Sequence, residues 1–390
     1  MILNPRRRRL IQFGSIYFAQ GAILSYFLTF NILYLRQHGF AAGEIGFFQA
    51  TLVIPFLLKL LFAMISDRYS LFGLGHRYPY VAVGLIVQCL ALLILPTLSL
   101  PQDIDLFFLA ALCGALGMAM YDTCADGLAV ETTPPQDRAL LQGVMVGARA
   151  AGILCALLLG SYLVEGFGWS ALFVMITLMS LPALAVTLTF WDRRKGGASK
   201  VFCWSAFSSL RRQDVLLLAA MGLIYALALD AVLSYLSYHD DAGRLADIGV
   251  VSGLVAISMV GRIAGALASS RLSERLGYRR SMRLAIILST LACLALSLTA
   301  GTLVLALACL LFGFAYGYYT SVYSAAAMLS TDPRIAASMF AVFMIFLNIG
   351  VALGQALGGL VTEAIGFQGL AWSMALVSLI NLELVRRVRA

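Results

Sequence analysis

LLKLLFAMISDRYSLFGLGHRY, from Leu57 to Tyr78, and VGRIAGALASSRLSERLGYRRS, from Val260 to Ser281, align without a gap at an offset of 203 residues. The register pairs Lys59 with Arg262, Ala63 with Ala266, Arg68 with Arg271, Ser70 with Ser273 and Arg77 with Arg280. Other matches keep the same order along the chain. ILSYFLTF from Ile23 resembles VLSYLSYH from Val232, EIG at Glu44 returns as DIG at Asp247, and Arg138 through VEGFGW resembles Arg334 through TEAIGF. A duplicated polypeptide is the economical reading.

The repeated text is apolar. Of 390 residues, 61% are hydrophobic and 12% charged, and the mean hydropathy is +0.92. A soluble globule has too little polar surface at that composition. Runs long enough to cross a hydrocarbon layer of about 30 Å as helices are expected at 12–35, 45–66, 79–97, 105–130, 140–163, 169–191, 214–237, 248–270, 284–302, 303–328, 335–361 and 368–385. Arg6–Arg9 ahead of the first run has no cleavage site after it, so that run reads as a retained helix rather than a signal peptide. The fold class expected is an all-α membrane protein, twelve transmembrane helices in two pseudo-symmetric six-helix bundles. The polar stretch between them sets the domains at 1–191 and 214–390, joined by a linker at 192–213.

The formal charge of +8 reports orientation rather than nucleic-acid binding. With both termini cytoplasmic, every Lys and Arg falls in an inside loop or tail except Arg36 and Arg244 outside and Lys59, Arg149 and Arg262 within helices. Such a bias is the positive-inside rule, and a shift by one helix would reverse it. The cysteines lie in helices or the linker and suggest no disulfide framework.

The basic loops carry a family resemblance. AMISDRYSLFGLGHRY and ASSRLSERLGYRR resemble the cytoplasmic signature of the major facilitator superfamily, with Ala63 standing where a glycine is usual. YFAQG at Tyr17, YLRQHGFAAGEIG at Tyr34, LKLLFAMISDRY at Leu58 and YDTCADGLAVE at Tyr121 are similar to the AmpG-like permeases, a branch that takes in muropeptide, acetyl-CoA and siderophore permeases. The resemblance implies the major facilitator fold, a monomeric secondary transporter of a bacterial-type inner membrane, and alternating access of two halves around a central site.

Ionisable side chains inside apolar helices are costly and face a partner or a water-filled path. At about 1.5 Å per residue, Lys59, Asp122, Arg149 and Arg262 each lie roughly 12–16 Å from the cytoplasmic ends of their helices, in one layer. Asp126 is one turn from Asp122, and Asp230 lies nearer the outer mouth. Three cations against Asp122 in that layer point to an anionic solute, since arginine offers bidentate bonds to carboxylates. Pairing of Arg149 with Asp122 or Asp126 to join helices is an equal alternative, and Lys59 and Arg262 could instead snorkel or hold a gate. Protons are the expected coupling ion, with Asp122 and Asp126 as the titrating groups.

Tyr17, Gln20 and Tyr26 in the first helix, Tyr225 in the seventh, and Tyr316, Tyr319 and Tyr323 at helical spacing in the tenth complete the candidate lining, with packing or an interfacial belt as the plain reading of Tyr323. Asp67, Arg68, Arg77, Glu131, Arg138, Arg271, Glu274 and Arg280 form the expected cytoplasmic gate. Glycines inside apolar runs serve close helix packing. No phosphate loop, metal cluster or nucleophile motif occurs, and His38, His76 and His239 are scattered, so neither a cofactor nor enzymatic chemistry is expected. The function expected is proton-coupled import of an amphipathic anion such as a siderophore or peptidoglycan fragment. The alternatives are an exporter of drugs or metabolites, then a transporter-like receptor or membrane enzyme.

Overall fold

The computed structural model describes residues 4–40, 42–52, 54–71, 76–191, 204–236, 248–298 and 301–387. Residues 192–203 of the expected linker, together with His239, Arg244 and Asp247, lie outside them. The regular structure of the described residues is helical throughout.

The first half of the sequence begins with α1 (Pro5–Ser25), a π turn (Tyr26–Phe30) and α2 (Asn31–Gln37). Next come α3 (Ala42–Leu52), α4 (Ile54–Leu57), α5 (Lys59–Arg68), α6 (Tyr78–Ile94), α7 (Ile104–Thr132), α8 (Arg138–Phe167) and α9 (Trp169–Phe190). A 3₁₀ run (Trp204–Arg211) leads into α10 (Gln213–Ser234), α11 (Ile248–Leu276), α12 (Tyr278–Ser297), α13 (Thr302–Ser330) and α14 (Ala336–Arg387). Among the described residues, nine helices are long and apolar enough to cross a membrane.

The expected spans do not map one to one onto helices. The run 45–66 is divided into α3, α4 and α5. Pro55 has no N–H to return to the preceding turn, and Leu58, at φ −77° and ψ −2°, precedes Lys59 as the N-cap of α5. Conversely, the runs 335–361 and 368–385 lie within α14, whose only non-helical residue is Gly366 at φ 71° and ψ 174°. At the start of α1, Asn4 caps the helix by accepting from the Arg6 amide, with Pro5 in the first turn, where a missing N–H costs nothing.

The chain forms two contact units. One comprises Met1–Thr133, Ala148–Trp204 and Pro333–Ala341; the other comprises Pro134–Gly147, Ser205–Asp332 and Val342–Ala390. Each unit thus takes in a short segment from the far half of the sequence. In the first unit α1 and α8 meet backbone to backbone. A Cβ at Gly21 would lie 2.1 Å from the Arg149 carbonyl oxygen, and one at Gly152 would lie 2.1 Å from that of Phe18.

Large exposed side chains are apolar along many helices, among them Leu90, Leu159, Leu188, Leu291, Leu307 and Leu376, as suits faces turned toward hydrocarbon. Gly21→Val is expected to lower stability by about 1–3 kcal/mol through overpacking, read as a fall in the detergent melting temperature. Gly253→Val, where an added Cβ meets nothing within 4 Å, should melt near the parent.

Candidate functional site

The glycine contact that brings α8 onto α1 sets Arg149 beside Tyr17 and Gln20. The Arg149 Nε donates to Gln20 Oε1 at 2.7 Å, and the guanidinium carbon sits 4.7 Å from the Tyr17 ring centroid. The Tyr17 hydroxyl donates to Asp126. One turn along α7, Asp122 is ion-paired with Lys59, while Arg149 Nη2 stands 3.8 Å from its other oxygen. Lys59 and Asp122 side chains are 10% and 2% exposed, whereas Arg149 keeps 30%.

Six of the expected residues therefore form one cluster: Tyr17, Gln20, Lys59, Asp122, Asp126 and Arg149. Lys59 does not snorkel. It starts α5, where the helix dipole disfavours a cation, and Asp122 compensates that placement. Of the pairings left open for Arg149, neither aspartate takes it in a hydrogen bond; Asp122 is occupied by Lys59 and Asp126 by Tyr17.

Tyr26, also in the first unit, is buried and donates to Asn31 Oδ1 at 3.0 Å; the remaining members lie in the second unit. Arg262 stacks on Tyr316, its guanidinium carbon 3.9 Å from the ring centroid, and the Tyr316 hydroxyl donates to Asp230 Oδ2 at 2.6 Å. A Cβ at Gly317 would lie 2.0 Å from the Arg262 carbonyl oxygen, so α11 reaches α13 closely enough for that stack only because residue 317 has no side chain. Tyr319 stacks on Tyr225 with centroids 4.4 Å apart and accepts from Asn381 Nδ2 at 2.9 Å. Tyr323 is fully buried against Tyr225, which makes it a packing residue rather than part of an interfacial belt.

A second ionic cluster occupies the end of α5. Arg77 pairs with Asp67 and with Glu131, at 2.8 Å for the latter, and donates to Ser66 Oγ at 2.6 Å. Burial pulls the Arg77 pKa down, but Glu131 and Asp67 outweigh it and hold the guanidinium above its ordinary value. Asp67 also receives the Ala337 amide at 3.3 Å, the Ser338 amide at 2.8 Å and the Ser338 hydroxyl. It thereby supplies an acceptor and a negative charge to the N-terminus of α14.

The other expected gate residues have surroundings of their own. Arg68 is exposed over the Tyr69 ring. Arg138, in the second unit, donates to the Met328 carbonyl at 2.8 Å, and Arg271, Glu274 and Arg280 are exposed. Among the described residues, no group of three or more His, Cys, Asp or Glu could hold a metal ion.

Comparison with known proteins places the chain. The Major Facilitator Superfamily matches residues 13–345, and again 245–389. The chain belongs to that superfamily. Among solved structures, the human organic anion transporter MFSD10 (TETRAN) superposes with a TM-score of 0.77 at 18% identity, covering 98% of this chain and 100% of that one. The E. coli fucose:proton symporter gives 0.74 at 16%, covering 99% and 98%. A probable folate-biopterin transporter of Arabidopsis thaliana is 26% identical over 197 residues, 49% of this chain and 43% of that relative. The chain thus spans under half the length of the curated relative it matches.

As a member of that superfamily the chain is a multi-pass membrane protein, and the family points to transport rather than to enzymatic chemistry. Several of its site residues escape sequence reasoning. Ser338 and the free amides of α14 carry no side-chain signal for contact with Asp67. Ser66 and Asn381 are ordinary polar residues in apolar helices, and only the cost of burying an amide marks Asn381. Asp67→Asn should weaken the bonds to the Ala337 and Ser338 amides. At about 1.5–3 kcal/mol for a charged acceptor, amide exchange at these two positions is expected to accelerate roughly tenfold to a hundredfold.

Proposed function

We propose that this chain is a twelve-helix, proton-coupled importer that carries an amphipathic organic anion by alternating access across a bacterial-type cytoplasmic membrane. The runs Pro5–Gln37 and Ala42–Arg68, and a division of α14 at Gly366, would complete twelve spans. The halves 1–191 and 214–390 would be the moving bodies, joined by the linker 192–213, with both termini cytoplasmic and the monomer as the working form.

The observation that carries this reading is the state of Arg149. Its guanidinium has five donors, of which one bonds to Gln20, and it is the most exposed member of an otherwise closed charge cluster. A solute carboxylate can take the two Nη groups as a fork. Doing so would draw Arg149 away from Asp122, leaving that carboxylate to Lys59 alone. Protonation of Asp122 would release Lys59 in turn, so solute and proton would act on one shared network. Tyr17 and Asp126 would orient the guanidinium from the opposite side.

Three sources suggest the solute. The AmpG-like resemblance favours siderophores or peptidoglycan fragments, the folate-biopterin relative adds pterin-bearing compounds, and the stacked tyrosines of α10 and α13 suit a ring-bearing molecule. An exporter of the same chemistry is the second reading, and oriented vesicles separate the two by the direction of accumulation.

A thermal-shift panel of ferric and apo siderophores, anhydromuropeptides, pterins and acyl-CoA thioesters should give one saturable stabilisation. Its loss in Arg149→Gln is the expected result; an unchanged shift in that variant would remove Arg149 from the site. Asp122→Asn and Asp126→Asn are expected to abolish uptake driven by an imposed pH gradient. Full gradient-driven uptake by both would exclude these carboxylates as coupling groups.

A further inference from the structure

The two units contain the same three-part arrangement built from different positions. In the first, Arg149 lies on the face of Tyr17, whose hydroxyl donates to Asp126. In the second, Arg262 lies on the face of Tyr316, whose hydroxyl donates to Asp230. The tyrosine stands on α1 and the aspartate on α7 in one case; the aspartate stands on α10 and the tyrosine on α13 in the other. They are not copies of one duplicated segment, and the LSY match aligns Asp230 with Gly21 rather than with an acid.

The arrangement solves a specific problem. An arginine and an aspartate that both reach one tyrosine in an apolar bundle would ordinarily close a salt bridge. Here the tyrosine engages both. Its hydroxyl occupies the carboxylate, its ring face holds the guanidinium at cation–π distance, and donation to an anion enriches the ring that the cation lies on. Arg262 is left with no ion pair and no hydrogen bond to any described residue, although it is only half-buried. No described residue takes any of its five donors.

We propose that Arg262, Tyr316 and Asp230 form an anion subsite in the second unit, which takes a carboxylate on the Arg262 fork and depends on Tyr316 to keep Asp230 off that arginine. With Arg149, this gives the chain two carboxylate receptors, one in each unit. It deepens the proposed function by adding a second acidic group, or a second anion, to what the protein binds. Arg262 would touch the ligand, whereas Tyr316 and Asp230 are positioning residues.

The test is fluorine NMR of 4-fluorobenzoate titrated into the purified full-length protein, with 4-fluorobenzamide as the uncharged comparison. The expected result is two benzoate sites and no benzamide site, with one benzoate site lost in Arg262→Gln and the other in Arg149→Gln. Tyr316→Phe retains the ring but frees Asp230 to claim Arg262, so affinity at the second site should fall about tenfold. Adding Asp230→Asn to Tyr316→Phe should restore it, a rescue that a merely structural tyrosine would not give. A single site lost only in Arg149→Gln would overturn this proposal and leave the Arg149 reading standing. Loss of neither site in either arginine variant would overturn both. Absence of rescue in the double variant would overturn the role given to Tyr316, with Arg262→Lys, which keeps the charge and loses the fork, checking the folded second site.

Discussion

Charge buried in hydrocarbon must be matched within the protein, and the pairing of Lys59 with Asp122 is where this chain meets that demand most stringently. Neither side chain is more than one-tenth exposed. Replacing one partner alone would leave an uncompensated buried ion, at about 3–5 kcal/mol. The pair also constrains the neighbours: with one Asp122 oxygen taken by Lys59 and Asp126 by Tyr17, Arg149 bonds to Gln20 and holds its Nη2 3.8 Å from the second Asp122 oxygen.

The same economy governs the ionic group at Asp67. One carboxylate there serves the Arg77 guanidinium and the opening amides of α14, so a single side chain answers a buried cation and the unpaired donors of a helix start. The second half is built differently. Position 270, the counterpart of Asp67, is serine, and around Ser273 and Tyr318 the structure holds a chain of hydroxyls through Ser281, at 2.9 Å and 2.6 Å. The repeated positions of α5 are helical in both halves, while their polar residues differ. The first-half group is ionic, and the second-half chain of hydroxyls is neutral.

The architecture was legible in the sequence because its signals are long. Apolar runs, the biased placement of Lys and Arg and the repeat at Leu57 and Val260 each extend over tens of residues, and together they led to the superfamily that the whole-chain match bears out. The residues of the first cluster were legible for the opposite reason: an isolated charge in a greasy helix is conspicuous. What the sequence left open was who meets whom. Arg149 had two aspartates within plausible reach, and the outcome turned on Lys59, which a repeat alignment sets against Arg262 but whose contacts depend on the break at Leu58. Partners that act through backbone amides, as at Ala337 and Ser338, leave no compositional trace.

Glycine leaves a similarly weak signal. Gly21 and Gly317 look like ordinary small residues of membrane helices, yet each is the point at which an arginine-bearing helix comes close enough for its guanidinium to lie on a tyrosine ring. Because arginine, tyrosine and glycine sit on different helices and at different repeat positions in the two units, the recurrence cannot be inherited from one ancestral segment. Packing alone would be satisfied by apolar residues at these points, and two buried aspartates would be an expensive way to achieve it. What the two units share is a guanidinium laid on the ring of a tyrosine whose hydroxyl engages an aspartate, so that the aromatic residue stands between that aspartate and the arginine.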